Sequence, residues 1–224
     1  MASALRIGSL LVVCVVLALI AGTWWAHVRP ARAVPVDAAL VAHARAAIPA
    51  LPIVEPLEGQ DYDRTFFGPA WQSPEATGCD TRNEVLGRWL NEVRLAEGQG
   101  CSVVSGWFID PYTGHYIEYQ RGPETSVEVQ IDHVVSLADA WRKGAAGWDR
   151  ARAQAFANDP LNLVPTQDWV NREKGALDAS QWLPHHEGFW CHFAVQQILV
   201  KEKYGLGVSD AELGELSRAL EACE

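Results

Sequence analysis

The spacing of apolar residues changes along this chain, and each change marks an element. Residues 7–26 are twenty consecutive positions without a formal charge, preceded by Arg6, a run long enough to span a bilayer. Ala31-Arg32-Ala33 follows, with the small-x-small pattern of a signal-peptidase site. Residues 1–33 are therefore expected to be a signal peptide or an N-terminal membrane anchor. Arg29 and Arg32 weaken the positive-inside bias that would orient an anchor, which favours cleavage. Residues 34–60 are rich in Ala and Pro and read as a linker, either a tether or a short helix followed by extended chain. The folded domain is expected over 61–224.

Within that domain Val85, Leu86, Trp89, Leu90 and Val93 share one stripe, which predicts an amphipathic helix over 83–97, stopped by Gly98 and Gly100. The segments SVVSGWFID and HYIEYQ flank Pro111-Tyr112-Thr113-Gly114 and predict a β-hairpin, and VEVQIDH predicts a third strand. Residues 136–157 read as two short helices broken around 144–147. A short apolar stretch at 161–165 precedes a helix capped by Thr166, running through Asp168, Asn171 and Lys174 to Gly175. The last two helices are expected over 189–204, closed by Gly205, and from Ser209-Asp210-Ala211-Glu212, which has capping-box spacing. The pattern is α+β, with an antiparallel helix hairpin at the C-terminus.

Composition sharpens this reading. The 224 residues are 49% hydrophobic and 21% charged, which excludes a disordered chain, a collagen-like repeat and a coiled coil. Ten Trp point to a rigid aromatic core. The net charge is −10, and beyond residue 36 the chain holds 15 basic against 28 acidic residues. Such a protein does not coat nucleic acid or anionic membrane through its net field. The basic residues that remain gather between 142 and 174, where Arg142, Lys143, Arg150, Arg152, Arg172 and Lys174 outnumber four acids.

Of five cysteines, Cys14 lies in the apolar run, leaving Cys79, Cys101, Cys191 and Cys223 for an oxidising compartment. Sequence neighbourhood favours 79–101 with 191–223. The helix hairpin brings Cys191 beside Cys223. For Cys79 and Cys101, a helix of about 13 residues rises ~20 Å between them, so that pair closes only if the flanking segments fold back.

The stretch EVQIDHVVSLADAW…FANDPLNLVPTQDWVNREKG places Asp132-His133 at a strand end, Asn162 in a turn entering a second strand, and Asn171 on the next helix. This resembles the ββα-metal fold of HNH endonucleases, in an Asp-His…Asn…Asn version. YDRTFFGPAW, GCDTRNEVL, GWFIDPYTG and FWCHF around it are similar to small exported HNH-family proteins of bacteria. These are related to the C-terminal nuclease domain of GmrSD-type restriction enzymes. The resemblance implies an α+β fold with a ββα-metal core, an added β-hairpin and the helix hairpin, braced by disulfides. It implies an exported endonuclease acting on DNA, with RNA as a further substrate.

Chemistry supplies roles. Activating water at neutral pH suits a neutral His, so His133 is the expected general base. Asp132 and Asn171 offer the oxygen ligands that Mg²⁺ or Mn²⁺ takes. Family similarity makes Asn162 the residue that fixes the loop and orients the His133 ring. Lys174, one turn after Asn171, is expected to contact phosphate. A cluster of His185, His186, Cys191 and His192 is better read as a polar loop and a disulfide, and Asp110 as a turn residue. No feature implies an obligate protein partner. The competing reading is a noncatalytic extracellular or wall-associated binding module on the same scaffold, which the acidic charge favours.

Overall fold

The computed structural model describes residues 34–57, 62–69, 71–73, 78–98, 100–123 and 125–223. Residues 1–33 lie outside that set, and so does the expected signal peptide or anchor. The transmembrane expectation is corrected: no helix among the described residues is long and apolar enough to cross a membrane.

Helices α1 (Ala38–Ala47), α2 (Thr81–Trp89), α3 (Leu137–Arg142), α4 (Arg150–Ala157), α5 (Asp168–Lys174), α6 (Trp190–Tyr204) and α7 (Asp210–Ala219) surround two small antiparallel sheets. One sheet has the order β1 (Asn91–Leu95), β2 (Val103–Ile109), β3 (Tyr116–Gln120). The other pairs β4 (Val129–His133) with β5 (Leu163–Gln167), Asp132 opposite Val164 and His133 opposite Leu163. The chain passes directly from β5 into α5 beside the start of β4, where Asp168 N donates to Glu128 O. The last turn of α5 comes back to the end of β4, where Lys174 Nζ donates to His133 O.

At the centre lies α6, buried almost all round from Cys191 to Tyr204, as expected of a helix with apolar residues on every side. Its two glutamines brace the loops around β4 and β5: Gln197 Nε2 donates to Val134 O (2.6 Å), and Gln196 Nε2 to Leu161 O (3.0 Å). Gly205, left-handed at φ 57°, closes the helix. Helix α7 then returns antiparallel, with Ser209 Oγ accepting from Glu212 N. The Cys191–Cys223 disulfide joins the ends of the pair (Cα–Cα 4.9 Å).

Three expectations change. The predicted 83–97 helix ends at Trp89, and residues 91–95 form β1, paired with β2. Strand pairing outweighs the helical stripe there, and the early reversal brings Cys101 back to Cys79 (Cα–Cα 5.7 Å). Thr166 does not cap α5. It is buried, with its hydroxyl on Asp110, and Gln167 occupies the cap position without a side-chain bond.

The expected linker, in turn, packs against the rest of the chain. Asp37 caps α1, whose Ala44 and Ala47 are buried against the α6 core. Residues 52–54 pair with Val208, and a Cβ on Gly207 would lie only 2.3 Å from Val54 Cγ2. Alanines let α1 approach closely, so this stretch behaves as part of the fold.

Five charges are buried beneath α3. Lys143 Nζ meets Asp139 (2.7 Å), Asp178 (2.6 Å) and Glu212 (2.7 Å), and Lys201 Nζ meets Asp139 (3.1 Å) and Glu212 (2.9 Å). Burial alone would push the Asp139 carboxyl up, but the two ammonium groups outweigh it and hold it below its ordinary value. The cluster ties α3, α6, α7 and the 178–181 turn together.

Candidate active site

The end of β4, the loop after it and the face of α5 border a cleft of about 480 Å³. Asp132, His133, Asn171, Arg64 and Trp71 all line it. Asp132, His133 and Asn171, picked from the sequence, are thus brought together.

The two carboxylate oxygens of Asp132 differ. Oδ2 accepts from the Tyr112 hydroxyl (2.6 Å) and lies 2.8 Å from Lys174 Nζ, while Oδ1 has no hydrogen-bond partner among the described residues. Tyr112 is fully buried, and burial together with the Asp132 charge pushes its phenol pKa well up, so the hydroxyl keeps its proton and donates. The turn that holds it is organised by Asp110. This buried carboxylate accepts from Tyr112 N (2.8 Å), Gln167 N (2.7 Å) and Thr166 Oγ1 (2.9 Å), tying the DPYTG turn to β5.

Lys174 corrects an expectation. It is 0% exposed, with Nζ on Asp132 and on His133 O (2.8 Å), so it does not project toward a phosphate. One ammonium group thereby pins both the carboxylate and the peptide that carries the imidazole. Arg172 is exposed and pairs with Asp168 (2.6 Å).

His133 Nε2 lies 2.8 Å from Ala157 O. A carbonyl can only accept, so Nε2 carries the proton and Nδ1 keeps its lone pair. Trp71 covers the ring nearly in parallel, with centroids 6.1 Å apart and 12° between planes. Burial pushes the imidazole pKa down to about 4, so the ring is neutral at neutral pH.

Asn162 is fully buried behind the cleft. Its Oδ1 accepts from Val135 N (2.8 Å), its Nδ2 donates to Val135 O (3.1 Å), and its own carbonyl accepts from Val134 N (2.8 Å). Its side chain holds the loop after His133, while the ring itself meets Ala157 O and Trp71.

Tyr112, Arg64, Trp71 and the Ala157 carbonyl escaped the sequence reading. Tyr112 and Trp71 lie in the DPYTG and YDRTFFGPAW segments, and two aromatic residues beside turn glycines were the available signal. The weak histidine cluster disperses: His185 pairs with Glu173 (2.9 Å), and His192 stacks on Phe189 (4.8 Å). Among the described residues no group of three His, Cys, Asp or Glu is placed to hold a metal. Asp132 and Asn171 bring a carboxylate and an amide oxygen to the cleft, a hard set suited to an oxygen-seeking ion that keeps several waters.

The sequence pattern of the C-terminal domain of GmrSD restriction endonucleases matches residues 80–219. The chain belongs to that family. It is also 37% identical over 173 residues to a protein of Arthroderma benhamiae named "Uncharacterized secreted protein", covering 76% of this chain and 80% of that one. No solved structure matches.

Proposed function

We propose that this protein is an exported, metal-dependent endonuclease of the ββα-metal (HNH) type, hydrolysing phosphodiester bonds of DNA, with RNA as a further substrate. The observation that carries the reading is one cleft lined by a neutral His133 and by Asp132, both at the end of β4, and by Asn171 on α5. Membership of the GmrSD C-terminal family supports it. Two disulfides and a relative named as secreted support export.

In this mechanism Nδ1 of His133 takes the proton of the attacking water, and the Ala157 carbonyl holds Nε2–H, keeping the reactive tautomer. Trp71 shields the ring face, and Asn162 fixes the peptide behind it. Asp132 Oδ1 and the Asn171 amide oxygen would hold Mg²⁺ or Mn²⁺. When bound, that ion supplies Lewis-acid stabilisation of phosphate and leaving oxygen. Tyr112 and Lys174 aim the carboxylate by occupying its other oxygen.

A noncatalytic reading finds one specific support, since Lys174 already neutralises Asp132. The decisive experiment incubates the purified protein with plasmid, oligodeoxynucleotide and RNA in Mg²⁺, Mn²⁺ or EDTA, beside His133→Ala. Cleavage that EDTA stops and His133→Ala loses by ~10²–10⁴-fold is expected. Folded protein that cuts none of these, or a fully active His133→Ala, overturns the proposal.

A further inference from the structure

Residues 62–69 cross beside the His133 cleft as a short strap with no role in the chemistry above. Its 3₁₀ turn, Arg64–Phe67, is capped by Asp63, whose Oδ1 accepts from Thr65 N (2.8 Å) and Thr65 Oγ1 (2.6 Å). Phe67, 1% exposed, anchors it against Phe156 and Trp141. With its inner side fixed, the strap leaves Tyr62 and Arg64 exposed.

Tyr62 borders both the His133 cleft and a neighbouring cleft of about 560 Å³ that Arg142 and Ser180 also line. It therefore stands on the divide between them. Arg64 lines the His133 cleft and a smaller recess that Trp71 and His133 share. Its positive charge draws the Tyr62 phenol down against the larger effect of burial, and it forms no ion pair with a described carboxylate. Among the described residues it is the Lys or Arg lining the cleft of Asp132 and His133, Lys174 being buried behind them.

We propose that this strap grips a nucleic-acid strand, Arg64 binding the scissile phosphate and Tyr62 stacking an adjacent unpaired base. The identity of that phosphate rests on the endonuclease reading. A planar guanidinium with forked donors matches phosphate oxygens, and the Tyr62 ring, 38% exposed and backed by Phe67 and Trp141, offers its open part to any base. Stacking there requires a base out of its pair, so the strap selects single-stranded or locally opened nucleic acid. The strap precedes residues 80–219, the part that matches the family.

The test is fluorescence anisotropy with the full protein and a labelled single strand of about 12 nucleotides, in EDTA so that nothing turns over. Arg64→Ala should weaken binding about tenfold and lower the slope of log K against log salt by about 0.7. Arg64→Lys should keep the slope and recover part of the affinity. Tyr62→Ala should weaken binding about tenfold and abolish the preference for a probe with bases over an abasic one, whereas Tyr62→Phe keeps that preference. Urea midpoints verify that these surface variants stay folded.

No binding by the wild type, unchanged affinity and slope in Arg64→Ala, or equal binding of the abasic probe overturns the strap. Cleavage is read separately. Binding that depends on Arg64 and Tyr62 without any cleavage sinks the endonuclease reading and leaves the strap standing. Cleavage that Arg64→Ala and Tyr62→Ala leave untouched does the reverse.

Discussion

Replacing Lys174 by Met tests the charge balance on which the candidate site depends. The substitution keeps length and volume but removes an ammonium that is 0% exposed and 2.8 Å from both Asp132 Oδ2 and His133 O. Asp132 is itself 6% exposed, so the variant leaves a buried carboxylate with the Tyr112 hydroxyl as its donor. Breaking a buried pair by removing one partner costs about 3–5 kcal/mol. For a domain of this size that lowers Tm by roughly 6–20 °C.

The ion supplies the diagnostic. With the lysine gone, a cation at Asp132 Oδ1 has no neighbouring ammonium to oppose it, so Lys174→Met should bind Mg²⁺ more tightly than the wild type. By linkage, about 1.4 kcal/mol of stability returns when free Mg²⁺ reaches about ten times its Kd. Urea unfolding in EDTA and across a Mg²⁺ series, with the m-value checked for constancy, measures both effects. A loss below about 1 kcal/mol would mean that the pair contributes little. A Mg²⁺ response no larger than the wild type's would refute Asp132 as the oxygen facing the ion.

Asn162→Ala removes the partners of Val135 N and Val135 O, two buried backbone groups, and should cost about 2–5 kcal/mol in urea unfolding. The Cys191→Ser/Cys223→Ser variant opens a link of sequence separation 32 and should lose about 3–4 kcal/mol by the same measurement. Burial holds the His192 pKa down at about 4 against 6.5 in the unfolded chain. Its contribution is therefore complete above pH 6.5 and lost as pH falls from there to 4. His192 is half-buried, which discounts the effect to about 1–3 kcal/mol, and His192→Phe should flatten the stability-against-pH curve in that window by this amount.

What was legible in the sequence was local. The β2–β3 hairpin, the break between α3 and α4, the Gly205 stop and the Ser209 cap each depend on a few neighbouring residues, and each lies close to where periodicity and cap chemistry put it. Asp132, His133 and Asn171 stood out as candidates for a similar reason, the first two closing one strand and the third lying on the helix directly after the second strand. Non-local competition decided the rest. The stripe through Val93 is helical by spacing, yet pairing with β2 claims residues 91–95. Thr166 has the chemistry of a cap, yet the buried Asp110 takes its hydroxyl. Lys174 lies one turn from Asn171, but a seven-residue helix facing a buried carboxylate turns the lysine inward. For Thr166 and Lys174 the deciding partner lies far along the chain, and for residues 91–95 it is the next strand, outside the stripe itself.

The distribution of charge explains how so acidic a chain could handle phosphate. Lys143 and Lys201 are enclosed with Asp139, Asp178 and Glu212, a cluster of two cations and three anions that keeps a net negative charge inside. Lys174 is spent on Asp132, so three of the chain's lysines present nothing to solvent. Burying these groups in near-neutral sets leaves the net negative charge almost unchanged, so a polyanion is still repelled at a distance. On the proposed reading, attraction is short-range, from a divalent ion at Asp132 and Asn171 and from the guanidinium of Arg64. Both act within the cleft that also holds the neutral imidazole. On the proposed function, such a chain would bind nucleic acid weakly along its surface and hold it where His133 can reach it.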